Sequence, residues 1–167
     1  KLGAELFVLD DGWYGKRDDD TSSLGDWTEN TEKLGGTLKE VADAVRSKNL
    51  DFGIWLEPEM VSRNSELFRA HPEYAMLDGN REPIEMRSQI VLDITKAEVR
   101  DYLVKSITAV IEKSGAKYLK WDCNRGIYEL TNSATLFYDY TVALYDILER
   151  ITAAFPNLLI EGCSAGG

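Results

Sequence analysis

A chain of 167 residues, 44 % hydrophobic and 29 % charged, has the length and composition of one globular domain with a sizeable core. Its net charge of −10 argues against nucleic acid and anionic membrane surfaces as partners. No apolar run is long enough to span a bilayer, Lys1-Leu2-Gly3-Ala4 lacks the makeup of a cleavable leader, and two cysteines without C-x-x-C spacing speak against a disulfide scaffold or a structural zinc.

Five short apolar runs alternate with helical patterns. The first, Leu6-Phe7-Val8-Leu9, ends in Asp10-Asp11. Thr37 to Lys48 reads as a helix, with Leu38, Val41, Ala42 and Val45 on one stripe. Phe52-Gly53-Ile54-Trp55-Leu56 ends in Glu57-Pro58-Glu59. Ser65 to Ala70 is a shorter helical stretch stopped near Pro72, where His71 reads as structural. Ile90-Val91-Leu92 ends in Asp93, which also suits an N-cap for a helix starting near Thr95. Ala97 to Lys113 carries Val99, Leu103, Ile107, Val110 and Ile111 as a stripe that Gly115 should end. Tyr118-Leu119-Lys120-Trp121 ends in Asp122. Ser133 to Phe155 repeats the helical period through Leu136, Tyr140, Leu144, Ile147, Leu148 and Ile151, and Pro156 stops it. Leu158-Leu159-Ile160 ends in Glu161-Gly162-Cys163.

Continuous apolar runs suit strands buried on both faces, and their alternation with helices implies a parallel sheet with right-handed crossovers. The strand-end acids recur 29 to 47 residues apart, the scale of β/α units in a (β/α)8 TIM barrel with loop insertions. A doubly wound open sheet fits the alternation equally well. Neither G-x-G-x-x-G after the first strand nor G-x-x-x-x-G-K is present, which disfavours its nucleotide-binding version. A strand-like run begins almost at once, at Glu5, and Gly166-Gly167 closes the chain directly after another. Such ends are those expected of a fragment.

In a barrel the C-terminal strand ends converge on one mouth. Asp10, Asp11, Glu57, Glu59, Asp93, Asp122 and Glu161 would then rim or approach it, beside Trp13, Trp55 and Trp121. Arg87 and Lys120 balance the charge. Acids accept hydrogen bonds from hydroxyls, indole faces stack on sugar C–H groups, and a cation keeps the acids ionised, so the set suits a carbohydrate. Lys120 and Asp122 are two apart on one strand and project to the same face. Simpler readings stand beside these: the four tryptophans also suit a core, and Glu59 with Arg63 suits a surface pair. Asp18, Asp20, Ser22, Leu24, Asp26 and Glu29 match a calcium-loop template, but Ser23 stands where that loop needs glycine, so no metal is expected.

Four blocks carry a resemblance that covers essentially the whole chain. Phe7 to Trp13 followed by Gly15-Lys16-Arg17-Asp18-Asp19-Asp20 and Leu24-Gly25-Asp26-Trp27 resembles the opening motifs of glycoside hydrolase family 36 α-galactosidases. Phe52-Gly53-Ile54-Trp55-Leu56-Glu57-Pro58-Glu59-Met60 and Lys120-Trp121-Asp122-Cys123-Asn124-Arg125 are similar to later blocks, the second being the K-W-D-x-N-R that holds the nucleophile. Glu161-Gly162-Cys163-Ser164-Ala165-Gly166-Gly167 is similar to E-N-C-S-S-G-G. The resemblance implies that residues 1–167 are the central part of the catalytic barrel, roughly strands two to six, truncated at both ends.

It further implies retaining hydrolysis of terminal α-1,6-galactose from melibiose- and raffinose-type oligosaccharides, without metal or organic cofactor, by a cytoplasmic homotetrameric parent. Asp122 would be the nucleophile. Asp10 and Asp11 would bind the 4- and 6-hydroxyls, Lys120 the 3- and 4-hydroxyls, and Trp55 would shape the pocket wall. Arg87 would contact the sugar or its acids, Cys163 and Gly166 would line the side by the 2-hydroxyl, and Asn124 would support the nucleophile. The family's acid/base lies on a later strand, so none is assigned within this chain. Cys123 in place of the usual methionine is expected to point away from the mouth. Gly162 in place of asparagine is expected to remove a polar contact near the 2-hydroxyl. A raffinose-synthase-type galactosyl transferase, an α-N-acetylgalactosaminidase and an inactive barrel fragment remain alternatives.

Overall fold

The computed structural model describes residues 3–77, 81–129 and 133–164. Gly166, one of the expected sugar-lining residues, lies outside them. Four strands, β1 (Leu6–Leu9), β2 (Asp51–Leu56), β5 (Tyr118–Asp122) and β6 (Leu159–Cys163), form one parallel sheet in the order β1-β2-β5-β6. This is the α/β arc of a barrel.

The run at Ile90-Val91 does not join that sheet, contrary to its expected place as a barrel strand. Ile90–Val91 (β4) pairs antiparallel with Met60–Val61 (β3) in a separate two-stranded ribbon. At two residues it is too short to cross a barrel wall, and both of its side chains are buried. Full burial of so short an apolar run cannot by itself distinguish a barrel strand from a loop ribbon. Asp93 is consequently no part of the mouth. It accepts from the Thr95 backbone and hydroxyl and lies 3.4 Å from Lys96, which makes it the turn residue ahead of the next helix.

The helices follow the apolar stripes closely. Leu38–Arg46 (α2) starts on a capping box, in which Thr37 accepts from Glu40 N and Glu40 accepts from Thr37 N. Glu66–Ala70 (α3) starts at Ser65, and Ala97–Ser114 (α4) ends on Gly115 in the left-handed conformation at φ 62°. Leu136–Ala154 (α5) leads into β6. A single turn at Thr31–Leu34 (α1), capped by Asn30, has too short a period to be read from sequence. Two acids of the calcium-like segment are engaged at helix starts: Asp26 accepts from Glu66 N and Leu67 N, and Glu29 from Leu38 N. His71 caps the end of α3 and stacks on Tyr74.

The register sorts side chains onto two faces. Phe52, Ile54, Leu56, Leu119 and Trp121 face the helices, and all are buried. Trp55, Lys120 and Asp122 share the other face, joined across the β5–β6 ladder by Glu161 and Cys163. On this face Gly53 is needed for close approach, since a Cβ there would lie 3.0 Å from that of Tyr118 and 3.1 Å from a Val8 methyl. Among the described residues no helix is long and apolar enough to cross a membrane.

Candidate active site

The strand ends bring together most of the expected residues. Lys120 Nζ donates to Asp10 Oδ2 at 2.9 Å, tying β5 to the end of β1. That bond, set against a smaller desolvation, raises the Lys120 pKa. Trp55 Nε1 donates to Asp122 Oδ2 at 2.9 Å, and Cys123 N donates to Asp122 Oδ1 at 3.0 Å. Asp122 is 6 % exposed. Burial alone would raise its pKa, but hydrogen bonds from Trp55, Asn124, Cys163 and the Cys123 backbone outweigh it and hold the carboxyl below its ordinary range. A carboxylate kept ionised by neutral donors retains lone pairs for attack.

Asp11 is tethered. Arg17 Nη2 donates to its Oδ2 at 2.9 Å, Arg17 Nε reaches both oxygens, and Tyr14 Oη donates to Oδ1 at 2.9 Å. The Arg17 side chain is 3 % exposed, and its ion pair fixes Asp11 beside the mouth. Tyr14 also lies parallel to Trp55, with ring centroids 6.3 Å apart. Arg17 and Tyr14 stand outside the residues that the sequence marks for the site. The signal that could have found them is a lone arginine six residues after a strand-end acid, in a loop otherwise dense in Asp.

Arg87 reaches the site through its backbone conformation. Arg87 and Ser88 have φ of 53° and 58° in a two-residue hairpin closed by Met86 and Gln89. This left-handed pair is unusual without glycine or asparagine. It directs Arg87 Nη1 onto the Asn124 carbonyl at 3.1 Å.

Three expectations are corrected. Glu59 is neither a rim acid nor a surface partner of Arg63. It is 5 % exposed and accepts from Trp121 Nε1 and Tyr140 Oη, both at 2.9 Å, between the sheet and α5. Arg63 instead pairs with Glu85 and Glu82. Desolvation raises the Glu59 pKa despite the two donors. Trp121 therefore faces the helices, and Trp13 and Trp27 are likewise buried in the aromatic core, with Trp13 Nε1 donating to the Trp55 carbonyl. Gly162 pairs with Trp121 on the helix side, and a Cβ there would meet nothing within 4 Å. Its lack of a side chain removes no group from the mouth.

Cys123 lies with Trp121 and Leu144 in the cleft under α5, and burial pushes its thiol up to about 12. It is therefore expected to react much more slowly with iodoacetamide at pH 8 in the native protein than after denaturation, since little thiolate is present. Peptide mass mapping reads this, and equally fast labelling of the native protein would contradict the raised thiol pKa.

Glu161, on the Lys120 face, is bonded by Tyr118 Oη and is exposed. Glu57 is 1 % exposed, and both of its oxygens are taken, by Asn124 N and Gln89 Nε2. Burial raises its pKa against the hydrogen bonds from Asn124 and Gln89. A carboxyl so enclosed cannot reach a leaving-group oxygen.

A parallel β/α sheet whose strand ends gather carboxylates, a lysine and an indole N–H defines a class: α/β-barrel proteins whose polar mouth suits sugar hydroxyls. The particular family follows from comparison. The chain belongs to the Melibiase family, whose sequence profile matches residues 1–167. It is 45 % identical over 166 residues to the bifunctional α-galactosidase/sucrose kinase AgaSK of Mediterraneibacter gnavus, covering 99 % of this chain and 18 % of that one. It is 45 % identical over 174 residues to α-galactosidase AgaA of Geobacillus stearothermophilus, covering 100 % of this chain and 24 % of that one. The crystal structure of that GH36 enzyme superposes with a TM-score of 0.94 over 99 % of this chain and 24 % of the other. A variant of it in complex with raffinose superposes at 0.92 with 44 % identity, over 98 % of this chain and 24 % of the other. The chain thus spans a quarter or less of the length of these relatives.

Proposed function

We propose that residues 1–167 supply the nucleophile and the galactose-binding rim of a retaining exo-α-galactosidase, within a longer polypeptide that supplies the acid/base. The substrates are terminal α-1,6-galactosides of the melibiose and raffinose type. One observation carries this reading: Asp122 ends β5, ionised and held by Trp55, on the same strand face as the Lys120 that binds Asp10. Asp122 attacks the anomeric carbon and forms a β-linked galactosyl-enzyme, which water then opens with overall retention. Asp10, Asp11 and Lys120 receive the hydroxyls away from the reacting bond, and Cys163, Arg87 and Asn124 close the site around the nucleophile. No cofactor takes part. The complete enzyme is a cytoplasmic homotetramer, by analogy with bacterial members of its family.

The test is the anomer released. Hydrolysis of p-nitrophenyl α-galactoside by the full-length enzyme, followed by proton NMR, is expected to show α-galactose first and β-galactose only as mutarotation proceeds. β-Galactose as the initial product would exclude the retaining mechanism.

A further inference from the structure

We infer that Glu57 is a positioning residue for the nucleophile, acting through Asn124 and Gln89 without touching the sugar. The inference rests on the glycosidase reading above and deepens it.

Asp122 is the last residue of β5, so the chain beyond it has no sheet ladder to fix it except Cys123 N donating to the Cys163 carbonyl at 2.8 Å. The next amide, Asn124 N, donates to Glu57 Oε1 at 2.5 Å. The Asn124 side chain is hydrogen-bonded to Asp122 and also to Glu57. Glu57 itself is locked from the far side, where Gln89 Nε2 donates to its Oε2 at 2.9 Å. Gln89 is 2 % exposed, and Arg125 Nη1 donates to its carbonyl at 3.2 Å. The hairpin that carries Gln89 also places Arg87 on the Asn124 carbonyl. Asn124 is therefore held at its N–H, its carbonyl and its side chain, and Glu57 takes two of those three holds. A residue two positions after a nucleophile, fixed this tightly, sets the direction in which the carboxylate points. Misplacement of reacting atoms by about 1 Å is enough to cost about 10²-fold in rate.

One further atom makes the role separable from charge. Gln89 Oε1 is buried and has no hydrogen-bond partner among the described residues. If residue 57 were glutamine, its oxygen would still accept from Asn124 N. Its amide nitrogen would donate to Gln89 Oε1 after a half-turn of the Gln89 amide. Glu57→Gln therefore keeps both connections and loses only the charge, whereas Glu57→Ala loses both.

The experiment uses the full-length enzyme with p-nitrophenyl α-galactoside. Glu57→Ala is expected to lower kcat about 10- to 100-fold with KM changed less than about threefold, because an interaction made only through the nucleophile's geometry is lost. Glu57→Gln is expected to keep kcat within about fivefold of wild type. The acidic limb of kcat/KM should stay in place, since burial raises the Glu57 pKa and Asp122 is held below its ordinary range, so Glu57 is already neutral where Asp122 titrates. If Glu57→Gln is as impaired as Glu57→Ala, the carboxylate itself takes part in the chemistry and the positioning role is wrong. Wild-type kcat in Glu57→Ala also overturns it. Should Glu57→Ala fail to fold, Gln89→Met decides: a lowered kcat at unchanged KM supports the role, and a wild-type kcat removes it. Asp122→Gly in the same series separates the two levels. Activity retained there sinks the glycosidase reading, whereas its loss alongside a normal Glu57→Ala sinks only this inference.

Discussion

Asp122→Gly in the full-length enzyme is expected to lose about 10³-fold or more in kcat on p-nitrophenyl α-galactoside, and azide is expected to restore part of the rate. The size follows from the two steps the residue would carry. Removing the carboxylate abolishes the covalent route, and binding with charge stabilisation by the rest of the site remains. The wild-type side chain sits among the Trp55 Nε1, Asn124, Cys163 and Cys123 N donors, so its removal leaves an anion-sized space lined by hydrogen-bond donors. Azide entering there attacks the anomeric carbon from the nucleophile's side, and the product is β-galactosyl azide. The p-nitrophenolate leaves without needing a proton, so rescue does not depend on the acid/base. Near-normal turnover by Asp122→Gly would take the nucleophile off β5. Loss of activity with formation of α-galactosyl azide would place the attacking face opposite to the one proposed.

The largest stability effect is expected at Glu129→Ala. Arg125 and Glu129 form an ion pair at 2.8 Å with side chains 1 % and 2 % exposed. Arg125 also donates to the carbonyls of Ile84, Gln89 and Gly126, so one guanidinium closes the loop after β5 onto the hairpin that carries Gln89. Deleting Glu129 leaves that guanidinium buried with dipoles alone for partners, which costs about 3–5 kcal/mol. Thermal denaturation of the full-length protein should show a lowered transition for the barrel. The double variant Arg125→Met/Glu129→Leu should regain most of the loss, because replacing a whole buried pair with apolar groups is often neutral or better. A loss under about 1 kcal/mol in Glu129→Ala would mean that water reaches Arg125 and that the pair is not sealed.

How far the sequence reaches can be seen element by element. The stripe from Ala97 to Lys113 and the αL position of Gly115 place α4 within one residue of its observed end, because helical period and glycine conformation are local properties. The same holds for Thr37, whose capping box needs only its neighbour Glu40. Lys120 and Asp122 could be assigned to one face from strand alternation alone, and the observed register agrees.

What the local pattern could not supply is partner choice. Ile90-Val91-Leu92 is as apolar as a barrel strand, yet its hydrogen bonds go to Met60–Val61, a pairing that no local rule encodes. Glu57 and Glu59 stand two apart in one motif, and only packing separates them. The first locks Asn124 beside the nucleophile, and the second is sealed under α5 by Trp121 and Tyr140. Arg17 matters because the chain folds it back on Asp11, a contact set by the loop and not by spacing. The sequence by itself determined the alternation of parallel strands with helices, the family, and the acids at the ends of β1, β2 and β5, since each is written in local periodicity or contiguous motifs, whereas the barrel strand expected to end in Asp93 does not form. Only the tertiary structure decided which of those carboxylates lie at the mouth and which are buried and structural, because burial and hydrogen-bond supply depend on what distant segments bring to each one.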